Sequence, residues 1–196
     1  MKHSTLYNVM LKKLVVTFVF VLPLAVWILY KPVRILLPGL NGVTCVSNVL
    51  CLEETSTMNE ASILYEEALF FVTNEVGEIR NNPRIIFCIT EKCNQSFGFH
   101  SHAKAHTIGV SGIVISPQGW NEHILRHELI HHLQAERLGV IKQWRSPTWF
   151  KEGMAYSLSQ DSRPALTEPL LKYKAEFDEW LYSTGKDSLW EEADKL

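Results

Sequence analysis

The chain has 196 residues, 46% hydrophobic and 20% charged, which is enough apolar material for one packed domain and argues against long disorder. With 19 Lys+Arg against 21 Asp+Glu the net charge is -2, so no global field draws the chain to nucleic acid. No fixed-period repeat, low-complexity run, P-loop, GxGxxG or GxSxG pattern is present.

From Leu14 to Tyr30 the sequence reads LVVTFVFVLPLAVWILY without a charge, between Lys12-Lys13 and Lys31 with Arg34. A run of about 17 apolar residues is at the lower limit for a membrane-spanning helix. Trp27 and Tyr30 suit the membrane interface, and Pro23 is tolerated in lipid at less cost than in a soluble helix. The rival readings are a cleaved signal peptide and a buried core helix. A signal peptide needs small residues after the run, and here Tyr30-Lys31-Pro32-Val33-Arg34 follows. The reading is therefore an uncleaved anchor over 14–30, with residues 1–13 in the cytoplasm by a modest excess of positive charge.

Residues 31–56, with Pro, Gly and two cysteines, read as a linker, and 57–196 as the folded domain. Cys45, Cys51, Cys88 and Cys93 all follow the apolar run at spacings poor for a zinc knuckle. They read as disulfides of an oxidising, periplasmic or extracytoplasmic side rather than buried free thiols, and of the three possible connectivities the two local pairs are favoured.

Thr57 and Glu60 have capping-box spacing, and an apolar stripe from Ile63 predicts a helix to about Ile79. Arg84–Thr90 predicts a strand, followed by a polar loop. Thr107–Ser111 and Gly112–Ser116 predict one or two strands with a bend at the glycines. Asn121 caps a helix that ends at Leu138 before Gly139, with Leu125, Leu129 and Leu133 as its core line. After a loop, Pro147-Thr148 opens another helix. A last long helix is predicted over Thr167–Tyr182, and a short one after Asp187. The fold class is α+β, strands before most helices.

His127-Glu128-Leu129-Ile130-His131 places two imidazoles one turn apart on one helical face, where both reach one zinc ion. Glu128 beside them suits a general base. His132 lies about 100° further round the helix and reads as a surface or supporting residue. Glu152, on the next predicted helix, can complete a His2Glu site, and Gly153 admits a close backbone neighbour. His100, His102 and His106 read as a polar loop leading into a strand, with substrate contact or an accessory metal as the sharper alternative.

HELIH followed by WFKEGMA resembles the gluzincin metallopeptidases, at His127, Glu128, His131 and Glu152 and in the Trp149/Gly153/Ala155 frame. The likeness spans about residues 84–160 at the level of pattern. It implies a zincin-like domain: a small sheet, an HExxH helix and a short C-terminal helical lobe, here preceded by one transmembrane helix. It further implies Zn2+ on His127, His131 and Glu152, and hydrolysis of a peptide or protein substrate with Glu128 moving the proton. In that family a strand lines the cleft, and Thr107–Ser111 is its counterpart. No GxMxN motif is present, and Tyr156 stands where some relatives carry an Asp, so Tyr156 is the expected oxyanion donor or partner of Glu152. A packed core tyrosine is the plainer reading, and His106, Tyr173 and Tyr182 are weaker donors. The alternative function is a membrane-anchored zinc-binding or assembly module without catalysis.

Overall fold

The computed structural model describes residues 10–100, 103–161 and 166–196, so His102 and residues 1–9 of the expected cytoplasmic segment lie outside it. The chain is α+β, built on a mixed five-stranded sheet of order β1-β2-β3-β5-β4. Its strands are β1 (Thr44–Cys45), β2 (Leu50–Leu52), β3 (Ile85–Phe87), β4 (Ala105–Ile108) and β5 (Gly112–Ile115). β2, β3 and β5 run parallel, while β1 and β4 are antiparallel edges.

The parallel strands are buried on both faces, as their unbroken apolar runs require. Period-two alternation divides them between two cores. Leu50, Leu52, Ile85, Phe87, Ile113 and Ile115 face α3 (Met58–Glu75) and α5 (Glu122–Leu138). Cys51, Ile86 and Val114 face Ile35 of α2 (Lys31–Leu36) and Cys93 and Phe97 at α4 (Glu91–Ser96).

The N-terminal helix α1 covers residues 10–29 and includes a window, Met10–Trp27, long and apolar enough to cross a membrane by length and composition. Its π-helical turn Thr17–Val21 precedes Pro23 and takes up the backbone change that the missing N–H imposes. The expected linker 31–56 is instead part of the domain. It supplies α2, β1 and β2, and Ile35, Cys51 and Leu52 are fully buried. Both local disulfides, Cys45–Cys51 and Cys88–Cys93, are formed.

Other departures are local. Thr57 forms no capping box, because its hydroxyl donates to the Glu54 carbonyl (2.7 Å). The strand expected over 84–90 stops at Phe87, where the Glu53 carboxylate takes the N–H groups of Ile89 and Thr90 (2.7 and 2.8 Å). The Thr90 hydroxyl then caps α4 within the expected loop, accepting from Cys93 N (3.2 Å). Helix α5 begins after the Asn121 cap, whose Oδ1 accepts from His123 N, and ends at Gly139, φ 81°. A short helix α6 (Val140–Arg145) fills the expected loop before α7 (Thr148–Leu158).

The C-terminal lobe is α7 against α8 (Leu170–Thr184), with α9 (Leu189–Ala193) after it. Phe150 and Phe177 are fully buried there with Trp149 and Trp180 beside them. A Cβ on Gly153 would collide with the Tyr173 carbonyl oxygen and approach Phe177 Cβ to 2.7 Å, so glycine sets the α7–α8 distance.

Candidate metal centre

Leu125, Leu129 and Leu133 lock one stripe of α5 into the core. That leaves His127 and His131 on the flank toward a cleft of about 570 Å³ bounded by β4, α5, α6 and α7. Helix α7 brings Glu152 across from the far side. His127 Nε2 lies 3.1 Å from His131 Nε2, and the two Glu152 oxygens lie 3.7 Å from His127 and His131 respectively. Ligand atoms about 2.0–2.1 Å from one tetrahedral ion sit roughly 3.4 Å apart. Three donors from two helices thus converge at the spacing one small divalent ion demands, and the cleft leaves a fourth direction open.

The electrostatics agree with that geometry. Burial opposes the charge of Glu152, but the adjacent His127 and His131 rings and their positive charge overcome it and hold the carboxyl well below the usual range. Burial also opposes a charged His131, and the Glu152 carboxylate beside it with the charge of Glu128 raises its pKa from 6.5 to about 9. The site attracts positive charge strongly, first as a proton.

Glu128 is buried beside the ligands. The Thr107 hydroxyl lies 2.7 Å from its Oε2 and 2.8 Å from its main-chain oxygen. The strand bordering the cleft is therefore β4, Ala105–Ile108, and not Thr107–Ser111. Gly109 (φ 50°) and Gly112 (φ 149°) turn residues 109–111 into the β4–β5 hairpin. Tyr156 lines the cleft with its ring edge-on to His127, centroids 4.5 Å apart. His106 also lines it, whereas Tyr173 and Tyr182 do not.

His132 is buried about 100° round α5 from His131, where its Nε2 meets the Asn81 carbonyl at 2.9 Å. It ties α5 to the loop after α3, which makes it a buried supporting residue and not a surface one.

Sequence reasoning missed the residues that orient these groups. Gln134 is fully buried, its Nε2 donating to the Lys151 carbonyl (3.1 Å) and its Oε1 facing His131 Nδ1 (3.0 Å). Because the amide nitrogen must face a carbonyl, the oxygen faces His131. His131 Nδ1 then carries the proton of the neutral ring, and Nε2 turns its lone pair to the ligand cluster. Gln143 of α6 donates to the His131 carbonyl (2.6 Å) and approaches Gln134 Oε1 (3.4 Å). The available signal was Gln134 itself, a polar residue between Leu133 and Ala135 one turn beyond His131. No protein-family model, curated protein or solved structure matches this chain.

Proposed function

We propose that this chain is a membrane-anchored zinc metallopeptidase that hydrolyses peptide bonds at the His127–His131–Glu152 centre. The observation that carries the reading is the convergence of those three donors beside a buried, Thr107-held Glu128 on the wall of an open cleft. Two imidazoles and one carboxylate suit Zn2+ in a site that keeps a position free for chemistry, and thiolates, the mark of closed structural sites, are tied up in disulfides. When bound, the ion supplies Lewis acidity toward water and a carbonyl oxygen.

The chain's own groups do the rest. Glu128 accepts a proton from the attacking water and delivers it to the departing amine. Thr107 holds the Glu128 carboxylate in place. Tyr156, edge-on to His127, is placed for a donor role toward the developing oxyanion.

Strand β4 is suited to hold the peptide. The Ser116 N–H donates to the Lys104 carbonyl (2.9 Å), while the Ile115 carbonyl serves Cys88 on the β3 side. Antiparallel alternation then turns the main-chain groups of His106 and Ile108 to β5 and those of Ala105 and Thr107 to the open edge. An extended substrate pairing there would pass in front of the metal ligands. The small sheet, the HExxH helix beside it and Glu152 on a following helix support the zincin-like reading that the sequence resemblance implies. The apolar α1 and the two disulfides support an anchored domain on an oxidising, extracytoplasmic side, with the N-terminus in the cytoplasm.

The test is metal content and peptide-library cleavage by the full chain in detergent. Wild type should carry one zinc, and His131→Ala and Glu152→Ala none. Glu128→Gln should keep its zinc and lose about 10²- to 10⁴-fold in rate. A folded wild type that resists zinc loading would sink the reading. Zinc binding without any Glu128-dependent hydrolysis would leave the non-catalytic module.

A further inference from the structure

The chain leaves α1 at Leu29, and no spacer separates it from the domain. The Arg34 Nε donates to the Trp27 carbonyl (2.9 Å) in the last turn of α1, and its Nη1 donates to the Ser96 carbonyl (3.2 Å) at the end of α4. Arg84 Nη1 donates to the carbonyls of Ile35 and Leu36 (2.9 and 3.1 Å). The anchor is thus fastened to the domain within a few residues of its end.

This junction is part buried and part exposed. Ile35 is fully buried against the sheet. Leu36, Leu37 and Leu40, next along the chain, are 59%, 53% and 72% exposed, and Tyr30 just before α2 is exposed too. Leucines this exposed, immediately after a helix of membrane-spanning length, fit a lipid interface.

The same junction reaches the cleft. Lys31 Nζ lies 4.4 Å above the centroid of Phe99, and Phe99 stacks on His106 with centroids 4.0 Å apart. His106 adjoins Thr107, which holds Glu128. A second cavity of about 340 Å³ lies along this stack, bordered by Lys31, Gly98, Phe99 and His100, and it shares Ala103 and His106 with the metal cleft.

We propose that residues 30–41 form a second membrane contact, Leu36, Leu37 and Leu40 lying in the lipid interface. This contact holds the metal cleft against the bilayer, so that its substrates are extended membrane-proximal segments of other membrane-anchored proteins. The proposal rests on α1 spanning the membrane and on the peptidase reading, and the experiment reads each separately.

All four native cysteines are in disulfides, so Leu40→Cys gives one thiol for an environment-sensitive fluorophore. Phe70→Cys, 74% exposed on α3 over the opposite sheet face, is the comparator. In liposomes holding the full chain, a lipid-borne quencher should quench the label at 40 and leave that at 70 bright. Leu36→Gln/Leu37→Gln/Leu40→Gln, all exposed positions, should keep zinc and the rate on a free peptide. It should lose most of a preference, about tenfold or more, for the same peptide tethered to lipid.

A label at 40 as aqueous as that at 70, in a chain that resists carbonate extraction, overturns the membrane contact alone. Extraction by carbonate overturns the anchor and the contact with it. Quenching at 40 without hydrolysis of either peptide leaves the contact standing and removes the substrate class together with the peptidase reading. An unchanged tethered preference in the triple variant, with quenching at 40, removes the contact's role in substrate choice.

Discussion

Replacing Gln134 by Leu tests whether the buried amide sets the metal site. The change keeps bulk and removes every polar contact. His131 Nδ1, the Lys151 carbonyl and Gln143 Nε2 each lose a partner now 3.0, 3.1 and 3.4 Å away. A buried group left unpaired costs about 1–3 kcal/mol, and the small exposure of His131 lets water replace part of the loss. The expected destabilisation is therefore roughly 2–4 kcal/mol. Zinc affinity should fall about 10- to 100-fold, since a ligand imidazole loses the bond that fixes its tautomer and plane. Chelator-competition titration reads the affinity and denaturant unfolding the stability. Gln134→Glu separates the two effects. Its carboxylate still accepts from His131 but cannot donate to Lys151, so stability should drop while zinc affinity holds or rises. A folded Gln134→Leu that binds zinc within roughly twofold of wild type would refute the orienting role.

In metal-free protein the raised pKa of His131 carries a definite sign. Stability from its charged form is fully present below 6.5, and it is lost as pH rises through about 9. The unfolding midpoint should decline across that window, and His131→Ala should flatten the decline. Zinc binding near neutral pH should release a proton from His131, readable by calorimetry in buffers of different ionisation enthalpy. Gly153→Ala should cost about 1–3 kcal/mol by pushing α7 from α8, and should weaken zinc binding because Glu152 moves with α7. Thr107→Val removes the hydroxyl beside Glu128, so hydrolysis should fall about tenfold with zinc content unchanged. Loss of zinc in that variant would show that Thr107 supports the ligands rather than Glu128.

The clustering of the candidate ligands was legible because their constraints are local. A four-residue spacing places His127 and His131 on one face in any helix, and the leucine stripe fixes which way that face turns. Glu152 was legible from its setting, since the glycine after it marks a close helix pair, and Gly153 does pack against Tyr173 and Phe177. The segment 31–56 was misread for the opposite reason. Its strands are two and three residues long, too short for periodicity, and β2 owes its conformation to β1 and β3 on either side of it. Glu53 shows the same limit, since its carboxylate ends β3 and starts α4 by taking two N–H groups more than thirty residues away. Thr107 and Gln134 are neutral side chains whose roles appear only once β4 and α7 are set against α5. What a single element dictates can be read from spacing, and what two elements dictate together requires the fold. The groups that could hold a metal here are of the first kind, and those that orient them are of the second. That division makes the orienting residues the sharper test, because a chance HExxH helix has no reason to carry a buried amide aimed at its second histidine.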